Sequence, residues 1–383
     1  MNETVSKFID TVRWIAAALV LVTHLNDRTF MVIADIPREH HNLLLYGWVF
    51  LYGFAHQAVV VFFVLSGFLV GGAVIARLRK ETFGLGQYCI DRTARIYVVL
   101  VPTLLLTFLF DAFGRVLFAD VGAYQLDIYK GHYEGWLIFA NLAGLQDIFF
   151  KTYGTNSSLW TLSHEYWNYI TFPFLCLAFF PHIRPIWRWS GFALGVALTV
   201  IMSVSGSWHF LGFLIWMIGA AAFALPRPLI ANKWLALTLF LCVSIGIRIT
   251  FRFAELKTGL LNDVCDFAVA LTFANLLLTL RFAPKGWSLL NWRGHKVLSD
   301  FSYSLYAIHM PIITFVCAGM QHAFGFGWRN VPSTPAHWVL AFATFAGTML
   351  FAWAFAQMTE HKTPAVRFWA YQLFARTRSR LWA

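Results

Sequence analysis

Arg13 and His24 stand eleven residues apart in "DTVRWIAAALVLVTHL", with only apolar and small residues and Thr23 between them. At about 100° per residue, eleven positions make three turns and a small remainder, so both side chains share one helix face, roughly 16 Å apart along the axis. An imidazole can take a proton from a hydroxyl or carry a transferred group, and a guanidinium matches phosphate through paired hydrogen bonds. Ionisable groups inside so apolar a run are costly, which turns this face toward a bundle interior or a water-filled cavity. Each residue alone has a plainer account. Arg13 can snorkel to headgroups, and His24 can be a polar residue at a helix end beside Asn26 and Asp27.

Arg92 and Arg95 in "DRTARIY" are spaced i, i+3, so two guanidiniums present one surface. With Arg13 they would suit a phosphorylated ligand; alone they also fit an ordinary basic flank of a membrane span. In "NSSLWTLSHEYWNYITFP" a span begins at Trp160, which sets His164 and Glu165 just inside its end. A carboxylate there needs a partner, and it can orient a histidine or act as general base. Ser66 lies among glycines in "FFVLSGFLVGG", a small-residue face for helix packing or for passage of a cofactor. "SYSLYAIHMP" adds Tyr303, Tyr306 and His309, and Pro311 leaves a backbone acceptor unpaired, a common device beside an internal cavity.

The elements that carry these residues are hydrophobic throughout. The chain is 59% hydrophobic and 12% charged, too little charge to cover a water-soluble protein of 383 residues. Its apolar residues come in runs such as "AVVVFFVLSGFLVGGAVIA" and "WVLAFATFAGTMLFAWAF" that meet the length needed to cross a bilayer. We place about ten spans, at roughly 8–26, 48–76, 96–114, 159–180, 189–206, 209–225, 234–250, 263–282, 298–319 and 336–357. The fold class is therefore an all-α polytopic membrane protein of about ten transmembrane helices, and the resemblance described below implies that they surround a central donor/acceptor cavity. Residues 1–383 read as a single membrane domain with no fused soluble module. The longer non-spanning segments are 27–47, 77–95, 115–158 and 283–297; the second is Arg-rich and has the pattern of an interfacial helix.

The net charge of +11 does not point to nucleic acid. With a cytoplasmic N-terminus, 20 of the 29 Lys and Arg residues fall at inner ends and 9 outside, so the positive-inside rule favours both termini in the cytoplasm. "RTRSR" near the end of the chain would meet anionic membrane lipid. The five cysteines are scattered, and no metal site or disulfide frame is expected.

Taken in order, "IDTVRWIAAALVLVTH", "FFVLSGFLV", "DRTARIY", "SLWTLSHEYWNYITFP" and "SYSLYAIHMP" resemble the acyltransferase-3 family of integral membrane O-acyltransferases. The resemblance implies about ten transmembrane helices, an acyl-coenzyme A donor, usually acetyl-coenzyme A, as co-substrate, and a carbohydrate or related hydroxyl acceptor. The family's Arg-ten residues-His pattern falls on Arg13 and His24, its paired arginines on Arg92 and Arg95, and its acidic residue on Glu165. This sequence departs from the pattern at Trp14, where the family commonly has Gly, at Pro102, the first proline after "RIY", and at His164, where an aliphatic residue is usual.

Residue chemistry and resemblance converge on one expectation. Inner arginines (Arg13, Arg92, Arg95) hold the donor phosphates, and Ser66 borders the donor path. His24 is the general base or transient acyl carrier, with Glu165 or Asp10 orienting or assisting it. Trp160, His164, Tyr303 and His309 face the acceptor, and external aromatics such as Trp136 and Tyr153 either stack on sugar rings or anchor the interface. The expected location is the bacterial inner membrane. Other readings remain: an acyltransferase acting on a small lipid or natural product, a transporter, or a non-catalytic scaffold. Neither an inverted repeat nor a pair of broken helices speaks for a transporter.

Overall fold

The computed structural model describes residues 2–204, 208–253 and 259–381, with the side chains of 251–253 and 376–381 left aside. Lys257 lies outside the described residues, as do the side chains of Arg252 and of the "RTRSR" stretch. Among the described residues fifteen α-helices follow in chain order: α1 Glu3–Thr29, α2 Leu43–Tyr52, α3 Ala55–Ser66, α4 Gly72–Arg79, α5 Leu85–Leu117, α6 Leu137–Leu142, α7 Trp160–Cys176, α8 Pro185–Ser203, α9 His209–Ala224, α10 Lys233–Phe253, α11 Gly259–Phe282, α12 Gly294–Ser299, α13 Ser302–Phe324, α14 Pro335–Met358 and α15 Thr363–Leu381. A π-helical turn, Gly67–Gly71, joins α3 to α4. Among the described residues no strand forms; β-pairing is limited to bridges such as Phe30 with Asn330.

Eight helical stretches among the described residues are long and apolar enough to cross a membrane: Glu3–Thr29, Leu43–Arg79, Leu85–Leu117, Pro185–Ser203, Lys233–Thr250, Gly259–Phe282, Ser302–Phe324 and Pro335–Ala375. The other two expected spans are present as shorter helices, α9 and α7, the latter 17 residues long with Pro173 inside it. The protein is an all-α polytopic membrane protein. One detail differs from the sequence expectation. The Arg-rich 77–95 segment is not a separate interfacial helix, because α5 starts at Leu85 and carries Arg92 and Arg95 in its first turns. The basic, aromatic end of the chain is itself a helix, α15. Its Tyr371 hydroxyl donates to Asp91 of α5 at 2.9 Å, and Arg367 pairs with the same carboxylate at 2.9 Å.

The chain divides into two compact units, one of residues 1–16, 54–84 and 164–299, the other of residues 17–53, 85–163 and 300–383. The first unit rests on close helix packing. A Cβ on Gly67 would fall 1.8 Å from the Trp216 carbonyl oxygen, and one on Gly219 would fall 2.1 Å from that of Val64, so α3 and α9 touch backbone to backbone. Small residues permit that approach in a lipid setting, where packing rather than water expulsion holds helices together. Phe8 at the start of α1 packs against Phe273 of α11, ring centres 6.2 Å apart.

In the second unit α13 packs on α5 and α14, and α15 lies along α5. Asn42 starts α2 by accepting the Leu45 N–H at 2.9 Å, the usual use of a short amide at a helix N-cap. Phe30, Trp48 and Trp338 form an aromatic cluster around the end of α1.

Candidate active site

In the second unit, His24 and His309 come together. Their rings stack with centres 5.2 Å apart and planes inclined by 27°. They are unequal partners. The His24 side chain is 28% exposed, and its Nδ1 lies 3.7 Å from an Asp27 carboxylate oxygen. His309 is buried, and its Nδ1 lies 2.8 Å from the Tyr306 carbonyl and 3.2 Å from that of Leu305. A carbonyl only accepts, so the ring proton sits on Nδ1. His309 Nε2 is then left as an acceptor, and it has no hydrogen-bond partner among the described residues.

Pro311 explains how α13 is held at this point. Proline has no N–H, so the Ala307 carbonyl four residues back loses its helical partner. Asn156 replaces it: its Nδ2 donates to the Ala307 carbonyl at 2.8 Å and to Thr107 Oγ1 at 3.1 Å. Ser158 Oγ donates to Asn156 Oδ1 at 2.7 Å, and Thr161 Oγ1 donates to the Tyr306 hydroxyl at 3.0 Å. Asp111 of α5 accepts the backbone N–H and the hydroxyl of Thr155 at 2.7 and 2.8 Å. The stretch before Trp160 is thus a polar strap across α5 and α13, and Trp160 itself is half-buried at the start of α7.

Nearer the start of α13, Arg95 meets a carboxylate that the sequence did not single out. Its Nη2 lies 2.7 Å from Glu360, whose other oxygen accepts the Ser304 N–H and hydroxyl at 3.2 and 3.1 Å. Glu360 is buried, and the Arg95 guanidinium also lies 5.4 Å over the Tyr303 ring. Arg92, one turn earlier, lies 6.0 Å over the Tyr88 ring.

The remaining candidates belong to the first unit, with Arg13 half-buried on the same continuous helix as His24. Asp10 accepts the Ser299 hydroxyl at 3.2 Å. Trp14 donates its indole N–H to His295 at 2.9 Å. Ser66 pairs with the Tyr169 hydroxyl and accepts from Trp216 Nε1, both at 3.0 Å, so in this structure it serves helix packing. His164 is buried with its ring centre 5.1 Å from that of His209, and Glu165 beside it is half-buried.

Sequence reasoning missed Glu360 and the part played by Asn156. Asn156 was visible within a recognised motif, and Pro311 announced an orphaned carbonyl. Glu360 gave only a weak signal, a carboxylate directly after a span.

The acyltransferase domain of the acyltransferase-3 family matches residues 6–357. Over 172 residues, 43% of the chain, the sequence is 32% identical to an O-acetyl transferase of Shigella phage Sf6, and the match spans 44% of that relative's length. No solved structure matches the chain.

Proposed function

The chain belongs to the acyltransferase-3 family, and we propose that it is a membrane O-acyltransferase moving an acyl group, acetyl in the first instance, from acyl-coenzyme A to a carbohydrate hydroxyl. The observation that carries this reading is the partly exposed His24 stacked on a buried histidine whose proton is committed to backbone carbonyls. Such a pair offers one imidazole that substrates can reach and a second that fixes it in place.

In the proposed reaction the acceptor hydroxyl oxygen bonds to the acyl carbon while the thioester C–S bond breaks. His24 takes the hydroxyl proton and returns it to the departing coenzyme A thiolate. In the covalent variant His24 carries the acyl group between two such steps. Arg13, Arg92 and Arg95 hold the donor phosphates, and Glu165 or Asp10 orients or assists. Trp160, His164, Tyr303 and His309 border the acceptor. The protein works in the bacterial inner membrane with both termini cytoplasmic, donor entering from the cytoplasm and acyl group leaving outward.

The test uses purified protein in sealed vesicles of known orientation, with radiolabelled acetyl-coenzyme A and a membrane-impermeant glycan acceptor on chosen faces. Label should reach the glycan only with donor on the cytoplasmic face, and His24→Ala should abolish transfer while unfolding remains wild-type. Wild-type turnover in His24→Ala would remove His24 from the chemistry. No donor-dependent transfer by the intact protein would remove the function.

A further inference from the structure

We propose that the cleft between the end of α5 and residues 122–133 binds an acidic saccharide, gripping its carboxylate or phosphate with Arg115 and Lys130 and its ring faces with tyrosines. The cleft measures about 720 Å³ and is lined by Arg115, Tyr124, Asp127, Tyr129, Lys130 and Tyr133 among others. That volume suits two or three sugar rings, since small-molecule sites run to roughly 300–1,000 Å³. The inference rests on the carbohydrate acceptor proposed above and gives that acceptor a charge.

Three observations support it. First, cations outnumber carboxylates at the wall. Arg115 lies 4.4 Å over the Tyr133 ring, and Lys130 is exposed. Lys151 adds a third at the rim, its Nζ 2.6 Å from the Lys130 carbonyl. Asp127 is the carboxylate in the lining, and Glu134 at the rim is engaged by the Trp136 indole at 2.5 Å.

Second, a buried cation stands behind the wall. Arg28 is 4% exposed and has no carboxylate partner among the described residues. Its Nη2 donates to the Tyr129 hydroxyl at 2.5 Å and its Nε to Thr314 at 3.4 Å, while its guanidinium lies 5.9 and 5.8 Å over the rings of Tyr129 and Trp328. Neutral oxygens and ring faces solvate that charge without cancelling it. At Tyr129 that charge outweighs the buried Asp111 carboxylate, which also acts on Tyr124 and Tyr133, so a ligand anion on the Tyr129 side of the cleft meets a net positive charge.

Third, the surfaces suit sugar rings. Burial raises the phenols of Tyr124, Tyr129 and Tyr133 above their ordinary range, so these side chains remain neutral hydroxyls on apolar rings. The location fits as well. Arg28 follows His24 by four residues on α1, one turn or about 6 Å further along, so the cleft opens at the His24 end of that helix.

The test measures binding without donor, on the full chain in lipid nanodiscs, by calorimetric titration. The probes are trigalacturonate, the neutral trigalactose and inorganic phosphate. Trigalacturonate should bind about tenfold or more tightly than trigalactose, as loss of one charge-assisted contact predicts. Lys130→Gln and Arg115→Gln, both at exposed positions, should each weaken trigalacturonate roughly fivefold to tenfold and spare trigalactose, and added salt should act in the same direction. Equal affinity for the two trisaccharides would overturn the proposal, as would affinity unmoved by either substitution. Displacement by phosphate at the same concentration would reduce the cleft to a simple anion site and overturn it too. Donor-dependent acyl transfer is then measured on the same preparation with a neutral acceptor. Absence of transfer there defeats the acyltransferase reading and leaves the saccharide site standing, whereas transfer without charge-selective binding does the reverse.

Discussion

Asn156→Ala should destabilise the protein, and the penalty should shrink when Pro311 is replaced by alanine as well. Asn156 is buried, and its amide serves the Ala307 carbonyl, Thr107 and Ser158. Two of those partners have another bond: Thr107 donates to the Thr103 carbonyl at 2.9 Å, and Ser158 reaches the Tyr306 carbonyl at 3.3 Å. The Ala307 carbonyl has lost its helical donor to Pro311 and is orphaned when the amide goes. An unsatisfied buried carbonyl costs about 1–3 kcal/mol, and the lost packing adds about 1, so Asn156→Ala should cost roughly 2–3 kcal/mol. Pro311→Ala restores an N–H four residues after Ala307. In that background Asn156→Ala should cost only about 1 kcal/mol, leaving a coupling of about 1–2 kcal/mol. Unfolding by dodecyl sulfate in mixed micelles, run on all four members of the cycle, measures it. The same penalty in both backgrounds would refute the assignment of Asn156 as the substitute donor.

Glu360→Gln should cost about 1.5–3 kcal/mol in the same assay, at the lower end because Arg95 is 34% exposed, and an Arg95→Gln cycle should show the two residues coupled rather than additive. Gly219→Ala should be among the most damaging single-methyl additions, costing about 3 kcal/mol or more, because its Cβ would meet backbone atoms of α3 that no rotamer change can move; unfolding at wild-type detergent concentration would contradict this. Arg92→Ala should raise the apparent KM for acyl-coenzyme A about tenfold while leaving that for the acceptor nearly unchanged, and equal effects on both would favour a purely topological role.

The membrane fold was legible because hydrophobicity is a local property. Runs such as "AVVVFFVLSGFLVGGAVIA" state their length and polarity without reference to any other segment. The small residues around Ser66 likewise announced a close approach, which α9 supplies through Trp216 and Gly219. Less legible was the start of α5. Arg92 and Arg95 fit an interfacial segment by composition, yet their helix runs unbroken to Leu117 and holds Pro102 inside it. Membrane helices tolerate such a proline because neighbouring groups satisfy the freed acceptor. The α15 helix was hidden for a related reason. A basic, aromatic tail reads as a lipid-binding end, and only the fold brings Asp91 to its Arg367 and Tyr371.

The site was legible only in part, because a partner far along the chain leaves no local trace. Arg95 and Glu360 are 265 residues apart in sequence. His24 stands out in the sequence by the face it shares with Arg13, but its stacking partner comes from α13. Pro311 links the two levels. It predicted an orphaned carbonyl, and that carbonyl draws Asn156, from the motif at the head of α7, onto α13. Two residues before Pro311 stands His309, whose ring proton is spent on carbonyls of the preceding turn. One proline thus leads through its missing N–H to the strap that fixes α13, and α13 fixes the ring against which His24 rests. A polar strap of this kind belongs in an apolar protein where a side chain must be held still, since each of its buried groups costs free energy unless satisfied. That strap braces the helix that carries His309, the ring on which the partly exposed His24 stacks.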